Sequence, residues 1–285
     1  MKNKILIIGG DSRQLYMADY LESNGFEVLI YGLPEKNREC VGNLADAVRN
    51  SDILIFPLPV SKDNKNIFSI TSHSITSENA IKFINENHIV FGGMIDKSTY
   101  QKLLKKTNNI FDYFKDEEVT LRNTVPTVQG ILKIIIDNIE YTVCGSKVAV
   151  FGYGRTGRLT AETLKALGAD VTVCARKKAD IISARVRGMN GCYINDFHSQ
   201  ANKIDIIINT VPSVIIDRCI LENLDKKCLI IDVASAPFGT DFAAASELGI
   251  NAMQCPSLPG KVAPKTAGEI IANAIINTLK EENRE

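Results

Sequence analysis

The chain has 285 residues, 45% of them hydrophobic, enough for two domains of ordinary size with a core in each. Its 33 Lys and Arg balance 33 Asp and Glu, so no basic excess points to nucleic acid or an anionic membrane surface. No apolar run reaches membrane-spanning length, and Met1-Lys2-Asn3-Lys4 leads into an apolar stretch too short for a signal peptide.

In chain order, Lys4 to Ile8 reads as a strand. Gly9-Gly10-Asp11-Ser12-Arg13-Gln14 then turns into a helix with Leu15, Ala18 and Leu21 on its apolar face, stopped at Asn24-Gly25. Glu27 to Tyr31 predicts a strand, Leu44 to Val48 a short helix, and Asp52 to Phe56 a buried strand closed by Pro57-Leu58-Pro59. The polar stretch Ser61 to Asn66 predicts a surface loop, and Ile81 to Phe83 a helix or turn. His88 to Phe91 is a strand ending in Gly92-Gly93, Ser98 to Lys106 a helix, and Asn109 to Phe114 a last short strand. Alternating strands and helices imply a parallel sheet covered on both faces. Pro126 suits the first turn of a helix, and Val128 to Ile139 continues it as an apolar interdomain helix.

The most informative stretch follows. Lys147 to Phe151 is a buried strand that runs into Gly152-Tyr153-Gly154-Arg155-Thr156-Gly157, with an amphipathic helix from Leu159 stopped by Gly168. In Gly-x-Gly-x-x-Gly the first glycine allows the tight turn, the second lets backbone approach a pyrophosphate, and the third lets helix and strand pack closely. The phosphates would sit at the helix N-terminus. Asp170 to Cys174 is the next strand. About 20 residues past the glycines an NAD site usually carries Asp or Glu for the ribose 2′-hydroxyl. Here Cys174-Ala175 is followed by Arg176-Lys177-Lys178, cations that would attract a 2′-phosphate, so NADP is the expected cofactor.

Ile181 to Val186 predicts a helix and Cys192 to Ile194 a short strand. Asp205 to Ile208 and Cys228 to Asp232 are buried strands ending in Asn209-Thr210-Val211-Pro212 and in Val233-Ala234-Ser235. Both loops are expected to frame the nicotinamide, because ligands of open α/β sheets bind beyond the strand C-termini. Asp241 to Leu248 is a helix, Asn251 to Gln254 the final strand, and Cys255 to Lys265 a loop before a terminal helix from Thr266. Two Rossmann-like, doubly wound parallel-sheet domains with a cleft between them are expected, at 1–127 with the terminal helix 266–282, and at 128–265.

Substrate-side candidates are Asp11, Ser12, Arg13 and Gln14, Leu58 to Ser61, Asn123-Thr124, and Lys265-Thr266. Lys265 stands at a helix N-terminus, an unfavourable place for an idle cation. No Ser–His–Asp set or carboxylate pair can be assigned, so the acid/base residue stays open. The seven cysteines, Cys40 to Cys255, are odd in number, form no Cys-x-x-Cys, and read as buried reduced thiols. His73, His88 and His198 show no metal-ligand spacing, and no metal is expected.

Several of these turns together resemble the A subunit of bacterial dipicolinate synthases. They are Ile8 to Gln14, Pro126 to Gly130, Phe151 to Gly157, Ile208 to Pro212, Asp232 to Ser235 with Gly239 to Phe242, and Leu258 to Gly268. Ser61 to Phe114 matches only loosely, and Ala236-Pro237-Phe238 departs slightly. The resemblance implies a cytoplasmic enzyme of the mother cell of a sporulating bacterium, on a branch of lysine biosynthesis. It would oxidise a dihydrodipicolinate-type ring to pyridine-2,6-dicarboxylate with NADP⁺ as acceptor. It also implies a homo-oligomer, a partner in the flavoprotein-like B subunit, and a terminal helix that packs back on the first domain. That packing would carry Lys265 beside Arg13, so that the two face one dianionic ring. A different NADP-dependent 2-hydroxy- or amino-acid dehydrogenase, or a non-catalytic NADP-binding subunit, are the alternatives.

Overall fold

The computed structural model describes residues 4–33, 42–71 and 74–282, so Cys40 and His73 lie outside the described residues. The chain divides into two units, Met1–Asn123 with Ala263–Glu285, and Thr124–Val262. The division falls a few residues before 127/128 and 265/266 because one helix already starts at Thr124 and the terminal helix starts at Pro264.

The first unit runs β1 (Lys4–Ile8), α1 (Ser12–Ser23), β2 (Glu27–Tyr31), α2 (Leu44–Arg49), β3 (Ile53–Ile55), β4 (Asn66–Ile67), β5 (Ile75–Thr76), α3 (Ser77–Lys82), β6 (Ile89–Gly92), α4 (Lys97–Leu104), β7 (Ile110–Asp112) and α5 (Glu117–Arg122). Its main sheet is parallel, in the order β2-β1-β3-β6-β7. Both faces are covered. Ile5 and Ile7 join one apolar cluster, Leu6 and Ile8 another, which is why β1 reads as an unbroken apolar run. The antiparallel pair β4–β5 stands apart from this sheet, at the end of the stretch expected to be a plain surface loop.

The terminal helix, Pro264–Glu282, completes this unit. Ile271, Ile275 and Leu279 pack with Met17, Ala18 and Leu21 of α1, while Ile270 and Ala274 pack with Val119 of α5. The Tyr20 hydroxyl donates to Asn273 Oδ1 at 2.9 Å. The helices approach closely at Gly268, where an added Cβ would lie 2.4 Å from the carbonyl oxygen of Arg13.

The second unit runs α6 (Thr124–Asn138), β8 (Lys147–Phe151), α7 (Arg155–Ala166), β9 (Asp170–Ala175), α8 (Lys178–Val186), β10 (Asn190–Tyr193), β11 (Ile206–Asn209), α9 (Arg218–Glu222), β12 (Leu229–Asp232), α10 (Phe242–Leu248), β13 (Asn251–Gln254) and α11 (Leu258–Val262). A 3₁₀ segment, Ile194–Lys203, follows β10. The sheet is parallel in the order β10-β9-β8-β11-β12-β13, the 3-2-1-4-5-6 arrangement of dinucleotide-binding folds. Helix α11 lies within the stretch expected to be a loop, and it packs on α6 where Gly130 leaves room for Leu258. No helix among the described residues is long and apolar enough to cross a membrane.

Candidate functional site

In the second unit the strand order reverses between β8 and β11, so the loops after these strands diverge and leave a crevice. A cavity of about 480 Å³ lies there. Its lining includes the whole turn Gly152, Tyr153, Gly154, Arg155, Thr156 and Gly157, the β9 end at Ala175, Arg176 and Lys177, and the β11 loop Thr210, Val211 and Pro212. Each of these was expected from the sequence to touch a cofactor.

The three glycines differ in what surrounds them. Gly152 has φ +91°, and a Cβ there would meet Thr210 Oγ1 at 2.5 Å. That hydroxyl donates to the carbonyl of Phe151 and ties the two strand ends together. A Cβ on Gly157 would lie 2.2 Å from the Gly152 carbonyl oxygen, so α7 can approach the strand only with glycine there. A Cβ on Gly154 would meet nothing within 4 Å. Gly154 starts α7 without a side-chain cap, and such a helix start offers backbone donors to an anion. The Tyr153 hydroxyl is buried in the cavity wall with no hydrogen-bond partner. Open space before Gly154, an uncapped helix start and an unpartnered buried hydroxyl all fit a bound dinucleotide.

Asn209 and the Val233-Ala234-Ser235 loop do not line this cavity. Asn209 is fully buried and braces the next turn, its amide donating to Val211 O and its Oδ1 accepting from Val211 N. Asp232, also fully buried, accepts from Ala234 N, Gly239 N and the Thr240 hydroxyl, folding its loop back on itself. Two lining residues were missed, Ile194 after β10 and Asp180. Asp180, in the first turn of α8, puts a carboxylate on the same cavity as Arg176 and Lys177. A search that stops at the end of β9 does not reach it.

In the first unit the strand order reverses between β1 and β3, and the candidates Asp11, Ser12 and Arg13 follow β1. Arg13 is only 3% exposed. Its Nε donates to Asp11 Oδ1 and its Nη2 to Asp11 Oδ2, each at 2.9 Å, and Nη2 also donates to Leu58 O at 2.6 Å. Leu58 follows β3 and precedes the cis peptide to Pro59. Arg13 therefore bridges the switch point and is neutralised by Asp11. Burial of a guanidinium demands such a carboxylate partner. Asp11 also caps α1 with Gln14 in a capping box, and Gln14 Nε2 is buried without a partner. Tyr113, beyond β7, donates to Phe56 O, and burial pushes its phenol well above the usual range. Lys265 is exposed in the first turn of the terminal helix, three residues before Gly268 meets the Arg13 backbone. The Arg13 charge is paired with Asp11. Asn123 ends α5 and Thr124 begins α6, at the division between the units.

Cys144 and Cys219 are exposed, against the expectation that all the thiols are buried. Among the described residues no group of three or more His, Cys, Asp or Glu is placed to hold a metal ion.

The strand order and the glycine turn define a nicotinamide-dinucleotide-binding Rossmann domain, and with it a dehydrogenase-type oxidoreductase. Residues 127–265 match the S-adenosyl-L-homocysteine hydrolase NAD-binding domain family, and residues 4–114 match the N-terminal domain family of the dipicolinate synthase A subunit. The A subunit of dipicolinate synthase from Bacillus subtilis (strain 168) is 32% identical, covering 98% of this chain and 96% of that one. Two crystal structures superpose with a TM-score of 0.86. One, the A subunit of dipicolinate synthase from Bacillus halodurans, is 28% identical, with 97% of each chain covered. The other, the A chain of the Bacillus subtilis enzyme, is 31% identical, with 100% of this chain and 98% of that one covered. The chain belongs to the family of dipicolinate synthase A subunits.

Proposed function

We propose that this chain oxidises a dihydrodipicolinate-type ring to pyridine-2,6-dicarboxylate with NADP⁺ as acceptor, in the mother cell of a sporulating bacterium. The observation that carries this reading is the kinship with the dipicolinate synthase A subunit across both units. Bound in the second unit's cavity, the dinucleotide supplies the hydride acceptor, and aromatisation of the ring supplies much of the driving force.

The residues have separate tasks in this reading. The Gly152-to-Gly157 turn and the start of α7 hold the pyrophosphate. Arg176 pairs with the 2′-phosphate, and Lys177 adds its charge. In the first unit Asp11, Ser12 and Lys265 meet the ring and its carboxylates. Arg13 acts through Asp11 and the Leu58 carbonyl as a positioning residue. A B subunit, flavoprotein-like by the family resemblance, is the proposed partner.

The test incubates purified chain with NADP⁺ and freshly prepared dihydrodipicolinate, following NADPH by absorbance and product by mass spectrometry. Formation of both by the chain alone supports the reading. Silence of the chain alone, with turnover restored by the B subunit, supports a dependent subunit. Silence in both cases, with oxidation of a 2-hydroxy or amino acid instead, overturns it. Lys265→Ala is expected to lower kcat/KM by about tenfold with NADP⁺ affinity unchanged.

A further inference from the structure

Two cysteines that the sequence separates by eighteen positions are neighbours in the fold. Cys174 on β9 and Cys192 on β10 are register partners on adjacent parallel strands, and their Sγ atoms are 3.5 Å apart. Adjacent strands run roughly 4.8 Å apart, within the roughly 4.4–6.8 Å between Cα atoms that a disulfide spans. Cys174 is buried among Phe151, Ile194 and Phe197, while Cys192 is half-buried at the edge of that cluster.

Their position along the strands gives the pair its consequence. Cys174 directly precedes Ala175, Arg176 and Lys177, and Cys192 lies two residues before Ile194. All four of those residues line the cavity. The two sulfurs therefore sit beneath the part of the site that reads the ribose.

We propose that Cys174 and Cys192 form a reversible redox pair that closes under a peroxide and loosens the ribose end of the dinucleotide site. The loosening rests on the dinucleotide reading of the cavity, and the crosslink does not. Cys192 is the attacking sulfur. The thiol of Cys174 donates to it and so lowers its pKa, an effect that partial burial opposes and Gln200 assists, while Asp196 raises it and Arg185 lowers it. Burial holds the Cys174 thiol up, so it keeps its proton until the second step. Cys192 thiolate attacks one peroxide oxygen, the O–O bond breaks, and water leaves once the departing oxygen is protonated. Cys174 then attacks the sulfenic sulfur, the S–O bond breaks, and the leaving hydroxide takes the Cys174 proton as a second water. Two thiols are oxidised and one peroxide is reduced to two waters. Closure draws the sulfurs about 1.5 Å closer, to the roughly 2.05 Å of an S–S bond, and must shift the strand ends that carry Arg176 and Ile194.

The test treats full-length chain with hydrogen peroxide and reads intact mass, a peptide map and the NADP⁺ dissociation constant. The expected result is loss of two hydrogens, a crosslink joining the Cys174 and Cys192 peptides, and a Kd raised by roughly threefold or more, reversed by a dithiol reductant. Cys192→Ser should abolish the crosslink and the peroxide effect. A Cys144→Ser/Cys219→Ser double variant should keep both, because those exposed thiols lie elsewhere. Oxidation of Cys144 and Cys219 with Cys174 and Cys192 left as thiols overturns the proposal, as does a crosslink that moves Kd by less. Failure of the reduced chain to bind either NADP⁺ or NAD⁺ refutes the dinucleotide reading and, with it, the loosening, while the peptide map still decides the crosslink.

Discussion

In both units the first strand of a parallel sheet runs into a glycine turn and a helix, at the point where the strand order reverses. In the second unit the space beside that turn is open, and a Cβ on Gly154 would touch nothing. In the first unit the corresponding space is filled by the chain. A Cβ on Gly10 would lie 2.3 Å from Gln14 Oε1, and one on Gly9 would lie 2.7 Å from the Phe68 carbonyl. Arg13 then closes the switch point by binding Asp11 and Leu58. The same local pattern thus serves two ends. In the second unit Gly152 and Gly157 make room for the chain while Gly154 leaves room for a ligand, whereas in the first unit Gly9 and Gly10 both make room for neighbouring segments.

Arg13→Ala attacks the filled turn directly. Removing one partner of a buried ion pair costs about 3–5 kcal/mol, and the loss should appear as a lower midpoint in urea unfolding. Arg13→Lys should not restore it, because an ammonium cannot make the two-pronged pair. An unchanged midpoint would mean that the two turns do not differ as described. Gly154→Val probes the open turn. It should leave the midpoint in place and weaken NADP⁺ by roughly a hundredfold, about 2.7 kcal/mol, in calorimetric titration. Retained affinity would make the cavity a structural hollow.

Arg176→Ala sharpens the comparison at the rim of the open site. Loss of a charge-assisted pair costs about 1.5–3 kcal/mol, so NADP⁺ should weaken by roughly ten- to a hundredfold while NAD⁺ hardly moves. Equal losses for both cofactors would remove Arg176 from the 2′-phosphate. The smallest effect is expected at Asp180→Asn. Relieving a like charge beside a phosphate should tighten NADP⁺ by about 0.5 kcal/mol, with NAD⁺ unaffected. Weaker NADP⁺ binding would give Asp180 a direct role in holding the cofactor.

The open site was far more legible in the sequence than the filled one, for a physical reason. Buried parallel strands are apolar on both faces, so β1, β8, β11 and β12 stand out as unbroken runs, and the glycine spacing after β8 encodes its own geometry. The Arg13 side chain looks from the sequence like a cation on a loop. Its Leu58 partner is 45 residues away, and only the fold joins them. The pair Cys174 and Cys192 was hidden in the same way. Short elements whose form depends on tertiary packing were also missed. Helix α5 buries only Val119, and α11 carries Pro259 and Gly260, residues that argue against helix. Asn209 was expected at the cofactor because it ends a strand, as Asp232 ends the next. Their polar atoms instead hold their own loops, a role that strand position alone does not distinguish.

The terminal helix gives the chain an inverted order of completion. Residues 124–262 form a contiguous unit, whereas the first unit needs residues 263–282 to cover α1. During synthesis Met17, Ala18 and Leu21 emerge before the second unit, yet Ile271, Ile275 and Leu279 emerge only after it. A nascent chain stalled after Val262, with that residue clear of the ribosome, therefore carries a closed second unit beside an apolar groove awaiting its lid. Pulsed proteolysis of such a chain should spare 124–262 while cutting 4–123. Equal protection of both segments would show that α1 finds another cover before its own arrives.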